Sequence, residues 1–142
     1  TQFKDWGIPL GRRFRSLKLW FHLRLAGAEA IRQRLRRDLA NARWLGEQVA
    51  AEPDWEVCAP VALQTVCVRH VVAGMSDEDA DDHQQRWAER VNATGRAFVT
   101  PALIEGRWVV RVSIGAEPTE RTDVEDLWTL CRDSAMVEAA GA

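Results

Sequence analysis

The chain has no tyrosine, few cysteines, and no apolar run that approaches the roughly 20 residues that a helix needs to cross a bilayer. Its three cysteines are an odd number without C-x-x-C spacing, which argues against a disulfide framework and against a zinc site. No charged-then-apolar leader opens the sequence, so nothing in it indicates export. We therefore expect a cytoplasmic protein without a membrane partner.

Patterns that carry metal or phosphate chemistry are also missing. The three histidines, His22, His70 and His83, are scattered without H-x-x-x-H or H-E-x-x-H spacing, and each is expected to be an ordinary residue, His22 as a hydrogen-bonded core side chain. The glycines do not form a phosphate-binding loop, and the acidic run at residues 77–82 lacks the glycine and final glutamate of a calcium loop. No metal site is expected.

Charge is distributed unevenly along the chain. Residues 1–43 hold 11 of the 19 lysines and arginines but only three of the 21 acidic residues. A basic segment of this kind could follow a nucleic-acid backbone. The alternative is an arginine-rich helix that meets acidic surface of the same protein or of a dimer partner. We favour the alternative, and expect no nucleic-acid partner.

Hydrophobic periodicity predicts two helical segments first. Apolar residues between Leu17 and Leu25 occupy every face, which is typical of a buried helix, and Gly27 then interrupts it. Apolar residues recur at spacings of three and four from Ile31 to Val49, which predicts a long amphipathic helix with its arginines and Asp38 mostly outward. This helix should end before Pro53, which cannot continue it.

Beyond Pro53 the pattern changes to alternation. Strands are predicted at residues 55–58, 63–72, 97–104 and 107–114, the last two joined by a short hairpin turn at 105–106. A helix is predicted to start at Ser76, with Asp79 reaching back in a capping box, and to end at Gly95. Thr122-x-x-Glu125 predicts the start of a last helix, and residues 136–142 are expected to fray.

This order of elements predicts an α+β fold. We expect a largely antiparallel sheet of about four strands covered by helices on one face and preceded by a long kinked helix. The β-α-β-β-α order within it has ferredoxin-like character.

The most informative stretch is residues 6–21, which read WGIPLGRRFRSLKLWF. Pro9 fixes its own φ angle, and Gly11 allows another surface to approach the backbone closely. The stretch resembles the signature of the group II pyridoxal-phosphate-dependent amino-acid decarboxylases, the family of the aromatic-L-amino-acid, histidine and tyrosine decarboxylases. Their pattern is W-x-I-P-L-[GS]-R-R-F-R-[SA]-L-K-x-W-F, and the similarity extends through nearly the whole chain.

The resemblance implies the carboxy-terminal small domain of a fold-type I enzyme that uses pyridoxal 5'-phosphate. Residues 1–27 would form an interface and pocket segment with a buried helix that links to a large domain, and residues 28–142 would form the small α+β domain. The family's cofactor lysine and mobile-loop tyrosine would lie upstream of Thr1, so that this chain alone is expected to be inactive and to hold no catalytic residue. The cofactor would be bound mainly by the upstream region, in a homodimer.

The resemblance also assigns residues to the site. Leu10 and Gly11 would help to shape the pocket for an aromatic substrate ring, with Gly11 leaving space for a large one. Arg12, Arg13 and Lys4 would make interface contacts or contacts with a phosphate or carboxylate, although many relatives carry arginine where Lys4 stands. Neither Lys4 nor Lys18 is expected to form a Schiff base.

The implied activity is a carboxy-lyase reaction that converts an aromatic L-amino acid to its amine and CO2. The substrate's identity and the choice between decarboxylase and aldehyde synthase stay open. The alternative class is a non-catalytic ferredoxin-like module that binds a small ligand or has a regulatory role.

Overall fold

The computed structural model describes residues 14–140, apart from the side chain of Arg15. The chain divides into two compact units, Thr1–Arg34 and Leu35–Ala142. The first element, helix α1, covers Arg15–Ala51, and Gly27 within it has non-helical angles of φ 77° and ψ 156°. The predicted interruption at Gly27 is thus confirmed, because a positive φ of this size is readily adopted only by glycine. No helix among the described residues is long and apolar enough to cross a membrane.

The later part of α1 carries the predicted apolar stripe. Ala42, Leu45 and Val49 are buried at spacings of three and four, and the helix ends at Ala51, before Pro53 as expected. The outward orientation predicted for Asp38 is wrong, since only 1% of this residue is exposed. Its carboxylate accepts a hydrogen bond of 3.0 Å from the side-chain amide of Gln64, which replaces part of the lost hydration.

The sheet has four strands, β1 at Trp55–Val57, β2 at Thr65–His70, β3 at Thr100–Ile104 and β4 at Arg107–Ser113. Their order is β1-β2-β4-β3, and every neighbouring pair is antiparallel, which confirms the predicted sheet. Because β4 lies between them, β2 and β3 run parallel, as in the split β-α-β arrangement of ferredoxin-like folds. The β3–β4 hairpin turns at Glu105 and Gly106, with φ angles of 51° and 81°, the positive values typical of a tight two-residue turn.

Helices α2, Asp77–Ala93, and α3, Arg121–Ala140, pack together with the later part of α1 on one face of the sheet. Cross-strand register places Val66 opposite Val112 and Val68 opposite Val110, and all four valines belong to the core. The helices contribute the remaining large core side chains, including Leu45, Val49, Trp87, Val91, Val124 and Trp128.

Helices α2 and α3 each begin with a cap in which the residue before the helix is hydrogen-bonded to an aspartate three residues later. The Asp79 N–H donates to Ser76 Oγ at 3.2 Å, while the Ser76 hydroxyl donates to the Asp79 carboxylate at 2.6 Å, so the predicted cap at Ser76 is confirmed. The predicted Thr122 cap is wrong. Helix α3 begins at Arg121, two residues earlier than a cap at Thr122 would allow, and the Asp123 carboxylate accepts from the Glu120 N–H at 2.7 Å.

The fraying expected from residue 136 onward is also wrong for the described residues, since α3 continues to Ala140. The Glu138 carboxylate accepts hydrogen bonds of 2.8 Å from both Arg86 and Arg90 of α2. These two ion pairs explain why the end of α3 remains helical despite its weak hydrophobic pattern, since they bind it to α2.

Candidate functional site

The residues that the sequence assigns to the substrate pocket and to phosphate or carboxylate contacts are Lys4, Leu10, Gly11, Arg12 and Arg13, and all five lie outside the described residues. Their roles remain predictions. The structure does describe the continuation of the same motif from Phe14 onward.

The start of α1 presents an exposed apolar surface, which we call the apolar segment. Its residues range from 42% to 85% exposed and are Phe14, Leu17, Leu19, Trp20, Phe21, Leu23 and Leu25. Within this chain the helix is thus uncovered, and its predicted burial against a large domain stays a prediction. A helix that is apolar on every face needs cover on every face. A contiguous patch of this kind is characteristic of an interaction surface.

Aromatic side chains form the centre of the apolar segment. The rings of Trp20 and Phe21 meet edge-on with centroids 5.1 Å apart, and the Arg24 guanidinium lies 5.9 Å from the Trp20 ring. Phe14, Ser16, Leu17 and Trp20 line a shallow groove of about 400 Å³. The segment thus combines large rigid rings with one arginine, a composition typical of interface cores.

Two polar residues on this helix are exposed as well. His22 is exposed in this chain, and its predicted place in a core depends on the same cover by a large domain. Lys18 is exposed too, and a Schiff-base lysine needs a desolvated amine of lowered pKa. The exposed Lys18 therefore lacks the desolvated amine that a Schiff base with pyridoxal phosphate needs.

A buried polar site lies instead between β2 and α2. His70 Nδ1 is 2.8 Å from His83 Nε2, and 6% of His70 and none of His83 are exposed. We call these residues the histidine pair. His83 Nδ1 is buried and has no hydrogen-bond partner among the described residues. Sequence spacing predicts no relationship between the two histidines, because only the packing of α2 on the sheet brings them together.

A pattern in the sequence predicts the burial of one member of the histidine pair, His83. His83 lies three residues after Ala80 and directly before Gln84, on the inner side of the α2 stripe, so its burial follows from periodicity. Its partner at the end of β2 carries no such signal. Strand pairing and helix packing are long-range relationships that spacing alone does not give.

Gln84 holds the histidine pair in place with both ends of its amide. Its Oε1 accepts from the His70 N–H at 3.0 Å and from Trp87 Nε1 at 2.9 Å. Its Nε2 donates to the carbonyl oxygens of His70 and Ala80, both at 2.9 Å. The side-chain amide is therefore fully used, and it fixes the end of β2 against α2.

Burial makes both histidines weak bases. It lowers the pKa of His83 to about 4, with further lowering from His70 and from Arg86. Burial also lowers the pKa of His70, while the Asp54 carboxylate opposes that shift. At neutral pH the pair is uncharged, so one ring donates its single N–H to the other.

Aromatic rings and an ion pair enclose the histidine pair. The Trp55 ring lies 4.9 Å from the His70 ring and makes edge contacts with Trp87 and Trp128. Arg69, with 3% exposure, pairs with Asp81 at 2.6 Å and also donates to the Trp108 carbonyl. These contacts indicate a structural site that locks α2 to the sheet.

No group of three or more histidine, cysteine or acidic side chains in residues 14–140 is arranged to hold a metal ion. The features that the structure describes are thus an α+β domain with a buried polar centre and an apolar helix that lacks cover. An uncovered apolar surface of this kind is characteristic of a domain that packs on a further protein surface.

A model of the pyridoxal-dependent decarboxylase conserved domain matches residues 1–71. The chain belongs to the pyridoxal-dependent decarboxylase family. Phenylacetaldehyde synthase of Arabidopsis thaliana is 35% identical over 95% of this chain. Tyrosine decarboxylase 2 of Narcissus pseudonarcissus is 34% identical over 100% of it. The chain spans only about 28% of the length of either relative.

Solved structures agree with this assignment. An Oryza sativa TDC with pyridoxal phosphate and tryptamine superposes with a TM-score of 0.81 at 33% identity, over 96% of this chain and 30% of that one. Catharanthus roseus tryptophan decarboxylase in complex with L-tryptophan gives a TM-score of 0.78 at 30% identity, over 96% of this chain and 28% of that one. The predicted fold class and family are thereby confirmed.

Proposed function

We propose that this chain is the carboxy-terminal part of a pyridoxal-phosphate-dependent decarboxylase that converts an aromatic L-amino acid to its amine and CO2. The observation that carries the proposal is the family match at residues 1–71, which includes the whole W-x-I-P-L-G-R-R-F motif. Relatives named for tyrosine and for tryptophan support an aromatic substrate. The fold match over 96% of the chain to an enzyme solved with cofactor and amine supports the same reading.

The residues of this chain indicate which parts of the reaction it supports and which parts the rest of the enzyme supports. Pyridoxal phosphate, when bound, accepts the electron pair left by the departing carboxylate. Lys18 is exposed and the histidine pair is buried, so we assign neither a role in binding the cofactor or in transferring protons to substrate. The resemblance to the family implies that the cofactor lysine and the loop tyrosine belong to a part of the enzyme outside this chain.

This chain contributes contacts between domains and subunits, and it helps to select the substrate. Leu10 and Gly11 form one wall of the substrate pocket, and Arg12, Arg13 and Lys4 contact acidic groups at the interface or a phosphate or carboxylate. Residues 1–27 link to the large domain, and residues 28–142 form the small domain. The exposed apolar segment supports this arrangement, because burying it against a large domain and a second subunit removes its contact with water. We place the homodimer in the cytoplasm.

The test uses the full-length protein that contains this chain, purified with pyridoxal phosphate. We expect CO2 release from L-tryptophan, L-tyrosine or L-phenylalanine with one amine formed per CO2, and none from L-glutamate. Lys18→Arg is the matched variant, and it should keep CO2 release within about twofold and keep the visible absorbance of bound cofactor. Loss of that absorbance in Lys18→Arg, or no CO2 from any aromatic amino acid, would contradict the proposal.

A second candidate reaction is oxidative. Phenylacetaldehyde synthase is 35% identical, and Rhodiola rosea 4-hydroxyphenylacetaldehyde synthase superposes with a TM-score of 0.79 at 29% identity. Such an enzyme would take up one O2 and one water per substrate and release CO2, ammonia, H2O2 and the aldehyde. An oxygen electrode separates the two reactions, since simple decarboxylation consumes no O2. A non-catalytic small-ligand module would give neither CO2 nor oxygen uptake.

A further inference from the structure

Two of the three cysteines lie directly opposite each other on neighbouring strands. The register of β1 and β2 pairs Val57 with Val68, which places Cys58, the residue after β1, opposite Cys67. The Cys58 N–H donates to the Cys67 carbonyl at 2.8 Å. Hydrogen-bonded residues that face each other in antiparallel strands have Cα atoms about 5.5 Å apart. That separation falls within the roughly 4.4–6.8 Å that a disulfide spans.

Both thiols project from the sheet face that the helices leave open. Cys67 alternates with Val66 and Val68, which are in the core, so Cys67 points to the opposite face. Cys58 lies opposite it and shares that face, and both residues are half-buried. Cys131 is buried within the helical layer and is separate from this pair.

We propose that Cys58 and Cys67 form a redox modification site, in which a low-molecular-weight disulfide such as oxidised glutathione closes a reversible disulfide between the two strands. One oxidised glutathione is reduced to two glutathione thiols, and the two cysteine thiols lose two electrons and two protons. The bridge encloses residues 59–66 and covalently ties the edge strand β1 to β2.

The surroundings of the two sulfurs set the order of the steps. Burial raises the pKa of Cys67, but the Arg111 guanidinium opposite it on β4 counters that shift. Burial raises the pKa of Cys58 to about 11, and the Glu56 carboxylate adds to the rise. The Cys67 thiolate therefore attacks the oxidised glutathione, forms a mixed disulfide and expels the first glutathione thiolate. Cys58 then loses its proton to water, attacks the Cys67 sulfur and expels the second.

The experiment treats the full-length protein with oxidised glutathione under native conditions, blocks the remaining thiols with iodoacetamide and maps the peptides without reduction. We expect a linked pair of peptides that contain Cys58 and Cys67, lighter by two hydrogens than their sum, which separates on reduction. Its rate of formation should rise with pH between pH 7 and 9, because burial raises the pKa of Cys67 and the thiolate fraction still increases over this range.

Single variants test the order of the steps. Cys58→Ser should retain a stable glutathione adduct on Cys67, whereas Cys67→Ser should leave Cys58 alkylated by iodoacetamide. Cys131→Ser is the control and should form the Cys58–Cys67 bridge as the wild type does. Circular dichroism establishes that each variant is folded, and the wild-type map decides the question if a variant is not. Recovery of both cysteines in alkylated form from the wild type, or a bridge that forms only in urea, would overturn the proposal.

Discussion

The Nδ1 atom of His70, at the end of β2, lies 2.8 Å from Nε2 of His83 on α2, with both rings removed from solvent. The Gln84 amide fixes the backbone of His70 at the same point. This short contact joins the sheet to the helix that covers it, together with the hydrogen bonds of Gln84. The two rings cannot both be charged, because two imidazolium ions at this distance repel each other and leave no acceptor between the rings.

The first prediction concerns acid. The folded-state pKa of His83, about 4, lies below its ordinary value of 6.5, so the unfolded chain binds the proton more readily. The stabilisation is fully present above about pH 6.5 and is lost as the pH falls towards 4. His70, Arg86, Glu138 and Arg69 also act on the pKa of His83, and burial is the largest cause. We expect the free energy of unfolding to drop by roughly 2–3 kcal/mol across this range, measured by urea denaturation.

Variants of the histidines separate this effect from general acid denaturation. His83→Asn should lower stability at pH 7 and flatten its dependence between pH 6.5 and 4. His22→Gln, which changes an exposed histidine, should leave the curve unchanged. A His83→Asn protein with the full wild-type pH dependence would show that other groups cause it.

The second prediction concerns Gln84, whose buried amide makes four hydrogen bonds. Gln84→Met should cost roughly 2–4 kcal/mol, because it leaves the Trp87 indole and the His70 main chain unpaired in the core. Gln85→Met is the matched control, since the Gln85 side chain is half-buried and makes no hydrogen bond within the described part of the chain. Equal unfolding midpoints for the two variants would contradict this role.

The third prediction concerns the end of α3. The hydrogen bond from Arg90, together with that from Arg86, holds the pKa of Glu138 below its usual value. Glu138→Gln should destabilise the domain by about 0.5–1 kcal/mol, because the Arg86 and Arg90 side chains are 42% and 47% exposed and solvent screens their attraction. Glu125→Gln, an exposed change on the same helix, serves as control. The difference between the variants should shrink in 1 M salt, and a salt-independent difference would argue against an ionic origin.

The fourth prediction concerns the apolar segment. Phe21→Asp places a charge in the surface proposed for dimer contact and should weaken dimerisation of the full-length protein at least tenfold, as measured by sedimentation. Phe98→Asp is the control, because Phe98 is 81% exposed at a distance in sequence from this segment. A dimer that resists Phe21→Asp but yields to Phe98→Asp would assign the interface elsewhere.

The fifth prediction concerns substrate choice at Gly11, which lies outside the described residues. Gly11→Ser adds a side chain to the proposed pocket wall and so narrows the pocket. The kcat/KM for an indole substrate, divided by that for a phenol substrate, should therefore fall about tenfold. Gly115→Ser tests a similar change elsewhere, because an added Cβ there would meet only the Gln64 amide, at 3.8 Å. An unchanged ratio in Gly11→Ser would remove Gly11 from the pocket.

Hydrophobic periodicity and the residues typical of turns and caps predicted most of the secondary structure. Alternation located all four strands within a few residues, and Gly27, Ser76 and Glu105–Gly106 marked the kink, the cap and the turn that the structure has. The errors have a common cause. Asp38 and residues 136–140 were misjudged because partners distant in sequence, Gln64, Arg86 and Arg90, supply the hydrogen bonds that bury or order them.

The sequence by itself determined the family, through one motif at residues 6–21, and the α+β class, through periodicity, since both depend on neighbours along the chain. Only the tertiary structure decided which distant side chains meet. It paired His70 with His83 and Cys58 with Cys67, and it left the apolar segment exposed. Strand register and helix packing create these relationships, and they depend on the whole folded chain, so no local spacing encodes them.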